Sequence, residues 1–246
     1  MKRALLLAWI TLLACLVNAQ QKFIYEGKIE FERKINVHRQ VDPSESDDWY
    51  KDMVSKSPAF HNTLFTLQFR NKKSIYKPAQ ELPRFEMVWL LGPAKENIVF
   101  NDLESNLRIS QKMVFERRFV ISDTAARFKW RITDEKRVIA GMECRKAVTI
   151  ICDSVYVVAF YTDEIPVSAG PESFGGLPGM ILGLAIPRLH TTWFATKVML
   201  SPPSASDLQL SSRGQKTDPQ KLMSTLNRSF ADWGKYRDKN IWWILL

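Results

Sequence analysis

Cysteine and histidine are scarce in this chain: three of each in 246 residues. His38, His61 and His190 stand far apart, with no metal-ligating partners at characteristic spacing. Cys144 and Cys152 fall in one stretch of extended character, which would hold them about 26 Å apart and beyond disulfide reach. They are expected as two buried thiols. Also missing are GxSxG, HExxH, a Walker loop and a dinucleotide fingerprint. Ser74-Ile75-Tyr76-Lys77 spells SxxK without the companion motifs of serine acyl enzymes. Asp163-Glu164 sits at a strand end, where adjacent carboxylates cap or face water rather than form an acid–base pair. The reading is therefore not an enzyme, with no metal and no cofactor. No apolar run reaches the roughly 20 residues of a membrane span.

What is present at the N-terminus points to export. Lys2 and Arg3 precede the apolar run Ala4 to Ala14, and Val17-Asn18-Ala19 offers the small residues of a cleavage site. Residues 1–19 are predicted to be a signal peptide, with Gln20 first in the mature chain. A rival reading makes Leu12-Leu13-Ala14-Cys15 a lipobox and the protein lipid-anchored, but Leu13 stands where a smaller residue is usual. Soluble export is favoured. Either route removes the protein from the cytosol and sets nucleic acid aside as a partner. Losing Lys2 and Arg3 lowers the formal charge from +9 by two. A basic exported protein could meet anionic headgroups, lipopolysaccharide or an acidic partner, although ordinary solubility is the simpler account. Residues 20–246 suit a single β-rich domain.

Period-two alternation dominates. Ile29, Phe31, Ile35 and Val37 point one way, against Lys28, Glu30, Glu32, Lys34 and Asn36. Asp42 to Ser57 interrupts with helical spacing, and alternation returns at Phe65, Leu67 and Phe69. Pro78 to Pro93 is a proline-punctuated connection. Asn97–Asp102 and Leu107–Val114 form one hairpin; Cys144–Cys152 and Val155–Thr162 form another around Asp153-Ser154. Arg127, Lys129 and Arg131 alternate with Phe128, Trp130 and Ile132, as on the solvent face of an antiparallel sheet. Leu189 to Leu200 reads as a further strand. Asp218-Pro219 supplies an N-cap and first helical residue, and Leu222, Leu226, Phe230 and Trp233 recur at helical spacing over about 219–239. Ile241 to Leu246 is expected to pair or pack. The predicted fold is mainly β with α: a curved antiparallel sheet or half-open barrel, with a C-terminal helix packed on it.

One stretch stands out, Phe174-Gly175-Gly176-Leu177-Pro178-Gly179-Met180-Ile181. Proline second and glycine third in Leu177-Pro178-Gly179-Met180 predict a type II turn with Gly179 at positive φ. Met180 to Ile186 is almost wholly apolar, as a strand buried on both faces would be. Gly176-Leu177-Pro178-Gly179-Met180-Ile181 resembles the motif of the GLPGLI family of exported proteins, with Met180 in place of the usual leucine. The similarity extends through Trp130, Ile139 to Ala147, Phe160 to Pro166 and Gly170-Pro171. The resemblance implies the periplasm or the periplasmic face of the outer membrane, and carries no established activity. Gly170, Pro171, Gly175, Gly176, Leu177, Pro178 and Gly179 are the candidate binding residues. Two roles follow: a binding or carrier module for an apolar ligand such as an acyl chain, similar in architecture to carriers of the LolA and LolB type, or an accessory subunit docking on an outer-membrane protein complex. A large apolar hollow would favour the first; a filled core with a flat exposed patch around Gly170 to Pro178 would favour the second.

Overall fold

Alternation in Gly27–Asn36 makes a strand, β1, whose odd-numbered residues Ile29, Phe31, Arg33 and Ile35 are buried in succession. The computed structural model describes residues 23–40, 48–80, 96–114, 116–125, 128–210, 213–234 and 236–246. The predicted signal peptide with Cys15, most of the proline-punctuated connection, and Arg127 lie outside them.

Chain order continues from β1 as an antiparallel meander: β2 (Phe60–Arg70), β3 (Lys73–Pro78), β4 (Ile98–Asp102), β5 (Leu107–Val114) and β6 (Arg117–Thr124). A second meander follows: β7 (Arg131–Ile139), β8 (Met142–Ile151), β9 (Val155–Thr162), β10 (Met180–Ile186) and β11 (Thr191–Met199). β11 then pairs with β1, from Lys28 opposite Met199 to Ile35 opposite Thr191. A short strand, β12 (Gln215–Thr217), adds parallel to β6. The result is one open twelve-stranded mixed sheet, ordered β12-β6-β5-β4-β3-β2-β1-β11-β10-β9-β8-β7, which does not close into a barrel. The predicted β-rich class with helices holds.

Helix α1 (Asp48–Ser55) lies in the predicted interruption. At the C-terminus the expected single helix is two, α2 (Pro219–Ser229) and α3 (Tyr236–Leu245). Asp218 caps α2 as predicted, accepting from the Lys221 N–H at 2.8 Å. α2 ends at Ser229 with Phe230 as its C-cap at φ −105°, and Gly234, at a left-handed φ of 50° that glycine adopts without strain, turns the chain before α3. Leu222, Leu226 and Phe230 bury against Val114, Phe119 and Ile121, whereas Trp233 falls beyond the helix and is 41 % exposed. Ile241 to Leu246 does pack, mostly as helix: Trp243 meets Trp193 with ring centroids 6.5 Å apart.

Two smaller expectations also change. Cys144 is buried but Cys152 is exposed; both are free. The β8–β9 loop has three residues, with Cys152 and Asp153 at φ 48° and 60°, so Cys152 sits in the turn rather than the strand. Leu189 ends a short 3-10 turn, Pro187–Leu189, and His190 follows at φ 49°, so β11 begins at Thr191.

The β1–β11 ladder is central, paired along its length but for one bulge opposite Glu30 and Phe31, and backed by Ile29, Phe31, Leu184 and Trp193, whereas β7 and β12 are edges. Amide hydrogen exchange should therefore be slowest in β1, β10 and β11 and fastest in β7 and β12. Two meanders that opened independently, with β1 and β11 losing protection first, would contradict this account.

Candidate functional site

The candidate residues belong to the connection between Thr162 at the end of β9 and Met180 at the start of β10. This loop is not a surface excursion. Ile165, Val167, Ala169, Phe174 and Leu177 are all buried in the main core, together with Trp243 and Leu246. Backbone bonds stitch it down: Met180 N–H to Ile165 O at 3.0 Å, Ile181 N–H to Ala169 O at 2.9 Å, and Ser173 N–H to Leu246 O at 2.7 Å. Phe174 stacks on Phe128 with centroids 5.1 Å apart, and Trp130 donates from Nε1 to Gly175 O at 2.9 Å. Burial here follows from sequence: apolar residues at every second position, 165, 167 and 169, give an extended segment one inward face.

The structure brings all seven motif residues into this loop, in different settings. Gly170, Pro171, Leu177 and Gly179 are buried, Gly175 is half-buried, and Gly176 and Pro178 are exposed. The predicted turn is corrected. Gly176, not Gly179, has positive φ, at 85°. Gly179 is required for a different reason: a Cβ there would fall far inside contact distance of Thr162 O. Gly170 and Gly175 are similar, with a Cβ placed 2.7 Å from Ile181 Cβ and 2.9 Å from Ser168 O respectively. The glycines admit close approach of the loop to its neighbours.

Beneath the loop lies a polar cluster that the sequence reading did not identify. Glu172, 1 % exposed and at φ 54°, presents its carboxylate to three donors. Oε2 accepts from Asn97 Nδ2 at 2.7 Å; Oε1 accepts from Trp193 Nε1 at 3.2 Å and from the Tyr76 hydroxyl at 3.5 Å. Arg33, fully buried opposite Thr63 and Trp193, donates from Nε to Thr63 Oγ1 at 3.1 Å and lies 4.8 Å over the Phe65 ring. Burial lowers the pKa of Arg33, and Glu172 opposes that shift. Burial and Glu172 together raise the Tyr76 hydroxyl well above its usual range, so it serves as a donor. Lys112 donates from Nζ to Ile244 O at 2.8 Å at the end of α3, and burial lowers its pKa to about 8. These groups hold the loop and the C-terminal helix against the sheet. A signal for them did exist: Arg33 stands in phase with Ile29, Phe31 and Ile35, and Glu172 is the one charged residue between Glu164 and Arg188.

At the rim of the loop a cleft of about 240 Å³ opens between Ser168, Ser173, Gly175 and Gly176 on one side and Asn101, Asn106 and Arg108 on the other. Arg108 is 6 % exposed; its Nη2 donates to Thr124 O at 3.2 Å, and its Nε has no partner among the described residues. Among the described residues, no group of three or more metal-ligating side chains occurs.

A family model described as a protein of unknown function (Porph_ging) matches residues 149–183, which span β9 and the whole motif loop. No curated protein matches. Among solved structures, PNGF-II in a C2 crystal form aligns with a TM-score of 0.53 and 13 % identity, over 81 % of this chain and 32 % of that one. Its P21 form gives 0.52 and 14 %, over 82 % and 33 %. The chain thus spans about a third of the length of PNGF-II, and the likeness is one of fold. An uncharacterized conserved protein from Thermus thermophilus aligns at a TM-score of 0.38 and 5 % identity, over 78 % of this chain and 90 % of that one.

The close packing of the loop sets the cost of substitutions in it. Gly179→Ala should lower stability by about 1–3 kcal/mol, since backbone must move to admit the methyl group. Pro178→Ala, at an exposed position, should cost only about 0.4–1 kcal/mol. Chemical denaturation of both variants checks the difference; equal midpoints would refute the close-approach account. A second expectation concerns Lys112, whose pKa falls from 10.5 to about 8 on folding. Between those values the unfolded chain binds more protons at this site, so its contribution to stability rises with pH through that window. Wild type should gain stability relative to Lys112→Met between pH 8 and pH 10. Parallel stability curves for the two proteins would show that Lys112 titrates normally.

Proposed function

We propose that this is a non-enzymatic, exported cell-envelope protein of the GLPGLI type that acts as a binding module, with the cleft beside Gly175 and Gly176 as its ligand site. The observation that carries this reading is the cleft itself. The motif loop forms one wall, and a buried arginine whose Nε has no partner among the described residues forms part of the other. The match of residues 149–183 to a family of unknown function supports the family reading, because it covers the motif residues that carry the resemblance. Export rests on the N-terminal sequence.

The ligand favoured by this geometry is small and polar rather than an acyl chain. Ile165, Val167, Phe174, Leu177 and Trp243 fill the main core against the sheet, so an acyl chain has no room there. The larger cleft, about 410 Å³ beside α2, has Val114, Phe119, Leu226 and Phe230 in its walls but is rimmed by Glu116 and Arg117 and lies away from the motif loop. A filled core with a flat exposed patch around Gly170 to Pro178 was expected of the docking alternative; a cleft opens beside Gly175 and Gly176 instead, and that reading also needs a receptive edge strand. The β7 edge has an irregular register between Ile132 and Lys136, and the ion pairs Lys136–Glu143 and Lys146–Glu135 lie along it. Bulges and charges of this kind oppose strand addition. Binding in the cleft is therefore preferred to docking on an outer-membrane complex.

Ligand-detected NMR against a library of small polar metabolites tests the proposal, with wild type beside Ala125→Phe, which fills the cleft from its rim. Hits that disappear in the filled variant are expected. A library without a hit, or hits indifferent to Ala125→Phe, would reject the cleft as the site.

A further inference from the structure

The donors and acceptors around the cleft are not balanced. Gly175 O is already engaged by Trp130 Nε1 at 2.9 Å. Ser168 Oγ accepts from the Gly176 N–H at 2.9 Å, which leaves its own hydroxyl proton free to donate. Asn101 Nδ2 reaches Ser74 Oγ at 3.4 Å with one of its two protons. Arg108 keeps an Nε without a partner among the described residues, and guanidinium groups have no acceptor. Among the described residues, no carboxylate lines the cleft.

Register accounts for this concentration of polar groups. Ser74, Asn101, Arg108 and Asp123 stand opposite one another across β3, β4, β5 and β6, so one row of polar side chains crosses the sheet under the loop's rim. Asp123 is exposed and lies outside the cleft lining, although its charge acts on Arg108. Leu103 and Phe174 supply the apolar walls. The volume is below the roughly 300–1,000 Å³ of pockets for larger organic ligands, which restricts the occupant to few heavy atoms.

We infer that the cleft binds a small oxyanion, a carboxylate or phosphate monoester, with Arg108 as its charged anchor and the Ser168 and Ser173 hydroxyls as further donors. This rests on the reading of the cleft as the ligand site and names the chemistry of its ligand. An anion would give the buried guanidinium a charge-assisted partner, the strong class of hydrogen bond. Asp123 competes for the same guanidinium from outside.

The test titrates inorganic phosphate, acetate and, as a neutral control, glycerol into the full chain at constant ionic strength, following the Gly175 and Gly176 amide resonances. At least one anion should bind saturably and glycerol should not. Hydrogen bonds to charged groups contribute about 1.5–3 kcal/mol, so Arg108→Gln should weaken binding by about tenfold or more. Asp123→Asn should strengthen it. Arg108→Gln also loses the Thr124 contact, so Ala125→Phe serves as a second variant that closes the cleft with the arginine in place and should abolish binding. Anion shifts that never saturate, or that persist unchanged in both Arg108→Gln and Ala125→Phe, would overturn the inference. Metabolite hits that bind in the cleft but are neutral, with no response to either anion, would overturn it while leaving the binding-module reading intact.

Discussion

The structure depends on the seating of one loop on one face of a sheet. Residues 163–179 leave β9, cross the core and enter β10, and their backbone comes so close to neighbouring chain that side chains at Gly170, Gly175 and Gly179 would collide. Close approach lets Ile165, Val167, Ala169, Phe174 and Leu177 exclude water without a separate domain or a second sheet. Apolar burial contributes roughly 25 cal/mol per Å², and the loop adds its share only if its backbone bonds are met. They are met by Ile165, Ala169 and Leu246 carbonyls acting as acceptors. The proline-glycine motif is therefore a packing device first. Its exposed shoulder at Gly176 forms the cleft wall as a consequence.

Charge is placed inside this packing, which raises what it must satisfy. Glu172 has three donors around it, and Arg33 has a hydroxyl for its Nε and an aromatic face, while its two Nη atoms have no hydrogen-bond partner among the described residues. Buried ionic groups add little net stability over well-packed apolar ones, but removing one partner leaves the other exposed to the full desolvation penalty. The cluster therefore favours one position of the loop over slipped alternatives. Tyr76, Asn97 and Trp193 reach Glu172 from both meanders and from the segment that leads into β4, so the loop registers against the whole sheet. Lys112 does the same for the end of α3.

Much of the fold was legible because strands report themselves through alternation. Gly27–Asn36, Leu107–Val114, the β8–β9 hairpin and Met180–Ile186 appear close to where their patterns place them. Errors fell where a local cue was overruled or overlooked. Helix α2 stops at Ser229 although its apolar spacing continues through Phe230 and Trp233, and Cys152 leaves the strand because the turn needs residues at positive φ. At Gly179 the proline-glycine pair looked like a type II turn. Which glycine takes the left-handed conformation depends on the Ser168 bond to Gly176, and that partner lies eight residues away. Arg33, Arg108 and Lys112 were missed because charged residues in strands are normally assigned to the solvent face.

The sequence by itself determined the alternating strands, though not β3, β6, β12 or most of β7, together with the Asp218 cap, the apolar character of β10 and the place of the motif between two strands. These are local properties, set by side-chain period and backbone preference within a few residues. Only the tertiary structure decided that β11 returns to β1, that Glu172 sits beneath the loop with donors from residues 76, 97 and 193, and that Arg108 faces Ser168 and Ser173 across a cleft. Pairing between strands far apart in the chain has no local signature, because a ladder of backbone hydrogen bonds is nearly blind to side-chain identity. Burial of a charge likewise depends on what covers it, and here the cover is a loop about sixty residues or more further along the chain from Arg108.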